Sequence, residues 1–268
     1  MISLQAKELI KAGVNVLVII PANSLAAGGI VTTAHSKNIP VIAYDRLILD
    51  CDLDYYISFD NERTGELQAD YILKKINHKG TIMLMNGPEY DANSLLFRKG
   101  QMNILKPYIE KGAVKIIYDR YLSEWTSMES YMEGNDFLGS FTGKIDGIIA
   151  ANDGIAEGMM EALSIYRPDE KIHITGQDAG VNAYYSILDN KQGMTIYKPL
   201  DLLATQAAAL ACKLASKTDV IIPPFSTFNG FKNVPFIKLE PISVTKDNIE
   251  ILLHKSNYMS EEYLKGKK

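Results

Sequence analysis

The sequence predicts an α/β fold built on parallel sheets flanked by helices, and three observations predict it. Short, continuously apolar, β-branched runs recur along the chain, a segment of helical spacing separates most of them, and nearly every run stops at a polar side chain. Strands buried on both faces read as unbroken apolar runs, and parallel pairing needs a helix-length crossover between strands.

The alternation starts with SLQAKELIKAG (3–13), which has helical spacing and a glycine stop, and VNVLVIIP (14–21), an apolar run of strand type. It continues with a helix over 25–37, strand PVIAY (40–44), helix 62–76, strand TIMLM (81–85), helix 94–110 and strand VKIIY (114–118). Helix 127–138, strand DGIIA (146–150), helix 154–165, strand KIHIT (171–175), helix 181–189, strand MTIY (194–197) and helix 200–216 follow. The tail from 220 to 252 is rich in proline and reads as a wandering connection with short strands. No internal repeat or Gly/Ser linker is present, so any two lobes are joined by strands or tight crossings.

A chain of 268 residues with net charge −4 and 47% hydrophobic residues has the make-up of a soluble globular protein with room for two modest domains. With 28 Lys and Arg against 32 Asp and Glu, no basic surface is expected and nucleic acid is not an expected partner. Cys51 and Cys212 lack the spacing of a disulfide scaffold or a zinc site. The longest apolar stretch, 14–21, is too short to span a bilayer, and the first residues carry no signal-like pattern.

The strand ends concentrate the chemistry: Asn23, Asp45 with Arg46, Asn86, Asp119, Asn152 with Asp153, Gln177 with Asp178, and Lys198. Ligands of open parallel sheets bind outside the carboxyl ends of the strands, where loops project groups into a crevice. No GxxxxGK[ST], GxGxxG or GxSxG motif is present, and the four histidines have no acid at triad or ligand spacing. Asp153 fits either a cap for the helix that follows it or a ligand contact. Trp125, the only tryptophan, fits either a core position or a flat face for a sugar ring, with Phe97 offering an opposite face. Together these side chains supply donors and acceptors for a neutral polyol, without an activated nucleophile, a metal cage or a cofactor motif.

YDRLILDCDLDYYISFDNERTGELQA, NSLLFRKGQMNILKPY, AANDG, ITGQDAG and MTIYKPLDLLA, in that order and spacing, resemble the bacterial periplasmic D-xylose-binding proteins, a ribose-binding-protein-like sugar-binding family. The similarity runs from near residue 3 to about residue 250. It implies a two-lobed, periplasmic-binding-protein-like (type I) fold, no catalysis and an extracytoplasmic location. By position it puts pentose contacts on Asp45, Arg46, Asn93, Arg98, Trp125, Asn152, Asp153, Asp178 and Lys198.

The expected lobes are 1–88 with 199–228, and 89–198 with 229–268. Hinges are expected near Gly87-Pro88, Lys198-Pro199 and 227–231. Family members carry a strand-helix-strand unit ahead of the helix that opens this chain. The first lobe is therefore expected to be incomplete, with VNVLVIIP as an apolar edge that an upstream segment or another chain would cover. The expected partners are D-xylose and a membrane permease or membrane sensor kinase that reads the closed form. Two rival readings are the ligand-sensing core of a transcription regulator of the same fold, and a sugar-modifying enzyme using Asp45 or Asp153.

Overall fold

The computed structural model describes residues 2–218 and 223–255. Its elements in order are α1 (Ile2–Lys11), β1 (Leu17–Ile19), α2 (Gly28–His35), β2 (Val41–Tyr44), β3 (Tyr55–Phe59), α3 (Asn61–Lys75), β4 (Gly80–Asn86), α4 (Ala92–Glu110), β5 (Val114–Tyr121) and α5 (Ser127–Ser140). They continue with β6 (Gly147–Ala150), α6 (Asp153–Tyr166), β7 (His173–Ile174), α7 (Val181–Leu188), β8 (Met194–Tyr197), α8 (Leu200–Ala215), β9 (Phe225–Phe228), β10 (Asn233–Leu239), β11 (Ile242–Thr245) and α9 (Glu250–Lys255). Each helix and strand expected between 3 and 216 forms, and β3 is an additional strand. The apolar run at 220–222 and the stretch 256–268 lie outside the described residues.

The chain divides into two compact units. The first holds the chain up to Asp60, Tyr90–Asn93 and Leu200–Glu240; the second holds Asn61–Glu89, Ser94–Pro199 and the chain from Pro241. The division expected at residue 88 therefore falls at residue 60 instead, because β4 pairs with both β5 and β6 in the second unit. The expected transfer of 229–240 to the second lobe is corrected too, because β10 pairs with β3 and β9 in the first. The turn at 227–231 joins β9 to β10 within the first unit, and the chain leaves that unit at Glu240.

The first unit is a five-stranded sheet in the order β1-β2-β3-β10-β9, parallel apart from β9. Alternate residues of each strand face opposite layers, so a continuously apolar strand feeds two cores. Val41 and Ala43 of β2 pack with Ala6 and Ile10 of α1 and with Ile30, Val31 and Ala34 of α2. Ile42, between them, packs with Ile57 and Phe59 and with Leu203, Ala207 and Leu210 of α8. β1 is an edge of this sheet, and its Val18 is 45% exposed.

The second unit is a parallel sheet in the order β5-β4-β6-β7, beside a separate antiparallel pair β11-β8. Met83 and Met85 of β4 pack with Ile155, Ala156 and Met159 of α6, while Ile82 and Leu84 pack with Ala69, Ile72 and Leu73 of α3 and Leu105 of α4. α3 and α4 meet through glycines. A Cβ on Gly65 would lie 2.0 Å from the Phe97 carbonyl oxygen, and one on Gly100 would lie 1.8 Å from the Glu62 carbonyl oxygen. The backbones touch there, which glycine alone permits.

Candidate functional site

In the first unit the candidate groups gather at the end of β2. Asp45 has a left-handed backbone, φ 65°. Three bonds from β3 hold that conformation: Asp45 N donates to the Ile57 carbonyl at 2.9 Å, and the Asp45 carbonyl accepts from Tyr56 Oη at 3.0 Å and Ser58 Oγ at 2.7 Å. Arg46 Nε pairs at 2.8 Å with Oδ2 of Asp91, whose side chain is 1% exposed. The other oxygen of Asp91 accepts from Asn93 N at 3.0 Å. Asp91 thus joins Arg46 to Asn93 and is a member of the group that the sequence reading missed. The visible signal was an Asp placed two residues before Asn93, at the start of a helix, where a short carboxylate accepts from backbone N–H groups.

In the second unit, consecutive residues of α4 supply Phe97 and Arg98. Arg98 makes a two-pronged contact with Asp119 at the end of β5, Nε to Oδ1 at 3.2 Å and Nη2 to Oδ2 at 2.5 Å. Asn86 Nδ2 donates to the same Asp119 Oδ1 at 2.9 Å. Such a fork fixes the plane of the guanidinium and leaves its remaining N–H groups free to be presented elsewhere.

Trp125 is half-buried and rests against Gly87, where a Cβ would lie 2.1 Å from the ring. It packs against the core of the second unit while keeping some exposure. Phe97 is not its opposite face. The Phe97 ring is buried and meets Trp125 edge-on, with centroids 6.3 Å apart and planes at 70°, the geometry that ring quadrupoles favour over a parallel sandwich. Lys198 Nζ lies 4.8 Å from the Phe97 centroid and donates to Asn61 Oδ1 at 2.9 Å.

Asn152 and Asp178 stand at the ends of β6 and β7. Asn152 caps α6 by accepting from Ile155 N at 2.8 Å, and its Nδ2 lies 3.5 Å from Asp178 Oδ2. Gln177 Nε2 donates to Asp178 Oδ1 at 2.8 Å. Asp178 and Ala179 both have positive φ, 99° and 55°, and the turn is fastened to β8 by Asp178 N to the Ile196 carbonyl at 2.9 Å and Ala179 N to Thr195 Oγ1 at 3.1 Å. A non-glycine backbone in this region persists where surrounding bonds over-determine it.

Asp153 departs from the cap reading. The cap of α6 is Asn152, and the Asp153 carboxylate is engaged by protein donors. Oδ1 accepts from Gln192 Nε2 at 2.8 Å and Thr195 Oγ1 at 2.9 Å, and Oδ2 from Thr195 Oγ1 at 3.0 Å and Gly180 N at 3.1 Å. Burial, then the charge of Asp178, push its carboxyl from 3.8 up to about 7, against the pull of those donors. A carboxyl that holds its proton longer in the folded state contributes stability that fades as pH rises from about 4 to about 7. Burial pulls His173 of the same unit below its ordinary value, which gives the opposite slope near pH 6.5. Asp153→Asn is therefore expected to change the pH profile of stability itself. Wild type minus variant should fall by about 2–4 kcal/mol between pH 4 and pH 7, read by urea unfolding across that range; a flat difference would contradict the assignment.

Among the described residues, no group of three His, Cys, Asp or Glu side chains is placed to hold a metal ion. The Arg98 cation is paired with the Asp119 anion, the Lys198 ammonium meets the Asn61 amide and the Phe97 ring, and the Asp178 carboxylate meets the amides of Asn152 and Gln177. That mixture suits an uncharged ligand with many hydroxyls better than an anion or a cation.

The periplasmic binding protein domain family matches residues 4–219. The chain belongs to that family. Within it, the D-xylose-binding periplasmic protein of Escherichia coli (strain K12) is 40% identical over 264 residues, covering 97% of this chain and 78% of the relative. The D-xylose-binding periplasmic protein of Haemophilus influenzae is 39% identical over 258 residues, covering 96% and 77%. A solved ABC transporter solute-binding protein from Clostridium phytofermentans, with bound β-D-glucose, superposes with a TM-score of 0.90 at 29% identity, covering 98% of this chain and 86% of the other. As a periplasmic binding protein of type I fold, the chain has the two-unit, mainly parallel architecture described above.

Proposed function

We propose that this chain binds D-xylose or a close pentose through the polar groups at its strand ends. The observation that carries the reading is the second unit's set: the fork of Arg98 on Asp119, the Asn152–Asp178 pair, Lys198 and the half-buried Trp125 ring. Charged partners make stronger hydrogen bonds to hydroxyls than neutral ones, and an aromatic face accepts the C–H side of a pyranose. The identity to the two D-xylose-binding relatives supports a pentose as the polyol.

The protein acts by binding and performs no chemistry on the sugar. Its place is outside the cytoplasm, and its partner is a membrane permease or a membrane sensor kinase that reads the sugar-bound form. Sugar shifts the population toward that form by its differential affinity for it. The edge of β1, where Val18 is 45% exposed, supports the reading that a further strand would pair there. A stable monomer of this chain that binds xylose, seen by size-exclusion chromatography, would remove the need for that pairing.

Isothermal titration with D-xylose, with ribose, glucose and arabinose as controls, tests the function directly. Saturable heat with xylose, and much weaker heat with the others, is the expected result. Saturation by glucose with no response to xylose would overturn the pentose reading.

A further inference from the structure

Behind the strand ends of the second unit lies a buried pair of amides that none of the candidate contacts includes. Gln68, fully buried on α3, brings its Nε2 within 3.2 Å of three carbonyl oxygens, those of Ala150, Ala151 and Gly176. Ala151 immediately precedes Asn152, and Gly176 stands two residues before Asp178. One side chain therefore ties together the two peptides that carry Asn152 and Asp178.

Gln68 is itself held. Its Oε1 accepts from Nε2 of Gln101 at 3.1 Å, and Gln101 is fully buried on α4, one turn beyond Phe97 and Arg98. The Gln101 Oε1 is one of the buried side-chain oxygens left without a hydrogen-bond partner among the described residues. Leaving a buried acceptor unpaired costs free energy, so this orientation is maintained by what the rest of the amide does. The contact of α3 with α4 at Gly65 and Gly100 is what lets the two amides reach each other.

We propose that Gln68, held by Gln101, is a positioning residue for sugar binding: it sets the spacing between Asn152 and Asp178 by bridging the peptides that precede them. The Asn152 Nδ2 and Asp178 Oδ2 atoms are 3.5 Å apart, at the limit of a hydrogen bond, so a small shift of either loop changes the pair a hydroxyl would meet. Two amide hydrogens serve three carbonyls, and the bridge can follow small movements of the loops without breaking. The proposal rests on the pentose-binding reading above and names what tunes that site from behind.

The test is a mutant cycle read by titration with D-xylose, with each variant's fold checked by circular dichroism and thermal melting. Gln68→Met keeps the length and volume of the side chain and removes its polar ends. It is expected to weaken xylose binding about tenfold. In an Asp178→Ala background the same change is expected to cost less than about threefold, because the contact it positions is gone, while in an Arg98→Ala background it keeps its full effect. A purely structural role would lower the melting temperature and leave this coupling pattern absent. If Gln68→Met does not fold, Gln101→Leu, which frees the Gln68 amide without removing it, is judged by the same cycle. A wild-type chain that binds no xylose overturns the pentose reading and this proposal with it. A normal wild-type isotherm with an unchanged folded variant, or an undiminished penalty in the Asp178→Ala background, overturns the proposal alone.

Discussion

Gly100→Ala is expected to lower the unfolding free energy of the second unit by about 3 kcal/mol or more, measured by urea or thermal unfolding. The added Cβ would sit 1.8 Å from the Glu62 carbonyl oxygen and 2.8 Å from its carbon, so the obstacle is backbone, which no rotamer change removes. α3 and α4 have to move apart. Gly65→Ala meets the same wall from the other helix, 2.0 Å from the Phe97 carbonyl oxygen, and should cost a similar amount. Gly29, exposed in α2 with no heavy atom near its missing Cβ, is the control: there alanine should be neutral or stabilise by about 0.5–1 kcal/mol through helix propensity. Equal effects at Gly29 and Gly100 would mean that the close helix crossing is not what the glycine serves. Because Phe97, Arg98 and Gln101 sit on α4, and Asn61 and Gln68 on α3, any folded Gly100 variant should also lose sugar affinity.

Asp178→Ala is expected to weaken D-xylose binding by about 1–3 kcal/mol, roughly five- to 150-fold in dissociation constant, with little change in melting temperature. The carboxylate accepts from Gln177 and faces the amide of Asn152, so its removal takes away an acceptor and strands two donors at the proposed site. The backbone offers an internal check. At φ 99° alanine is strained and glycine is not, so Asp178→Gly should be the more stable of the two variants while binding as poorly. If Asp178→Gly alone recovered wild-type affinity, the loop geometry would be what matters and the carboxylate would have no direct part.

The parts of the fold legible in the sequence were those where one local pattern has one cause. The central strands β2, β4 and β6 announced themselves as apolar runs because both of their faces are buried, and the edge strands β1 and β5 did so although one face of each is partly open. β3 did not. It follows β2 after a loop with no helix between, and an alternation rule has no slot for a strand reached that way. The same omission explains the misplaced lobe boundary: with β3 unseen, nothing marked residue 60 as the point where one sheet ends and the next begins.

For the site, polar residues at strand ends were legible because loops there carry no other burden. Their roles were less so. Asp153 reads like its neighbour Asn152, yet its carboxylate turns toward Thr195 and Gln192, some forty positions further along the chain. Gln68 looks like any glutamine on a helix until carbonyls 82, 83 and 108 positions away close around it. Contacts of that separation leave no periodicity in the sequence to read.

The order in which the strands are strung has a consequence for how the chain acquires its structure. The four-stranded sheet of the second unit is complete within residues 80–174, so it can assemble while the later chain is still being made. The first unit cannot. Its β10 joins β3 only after more than two hundred residues have been synthesised, and the ion pair of Lys238 with Asp60 closes a loop of 178 positions. Long loops are costly to close before their contacts repay them. In the interval β3 lacks one of its two neighbours among the described strands, so the first sixty residues wait with open apolar edges, the state in which misassembly between chains competes with folding.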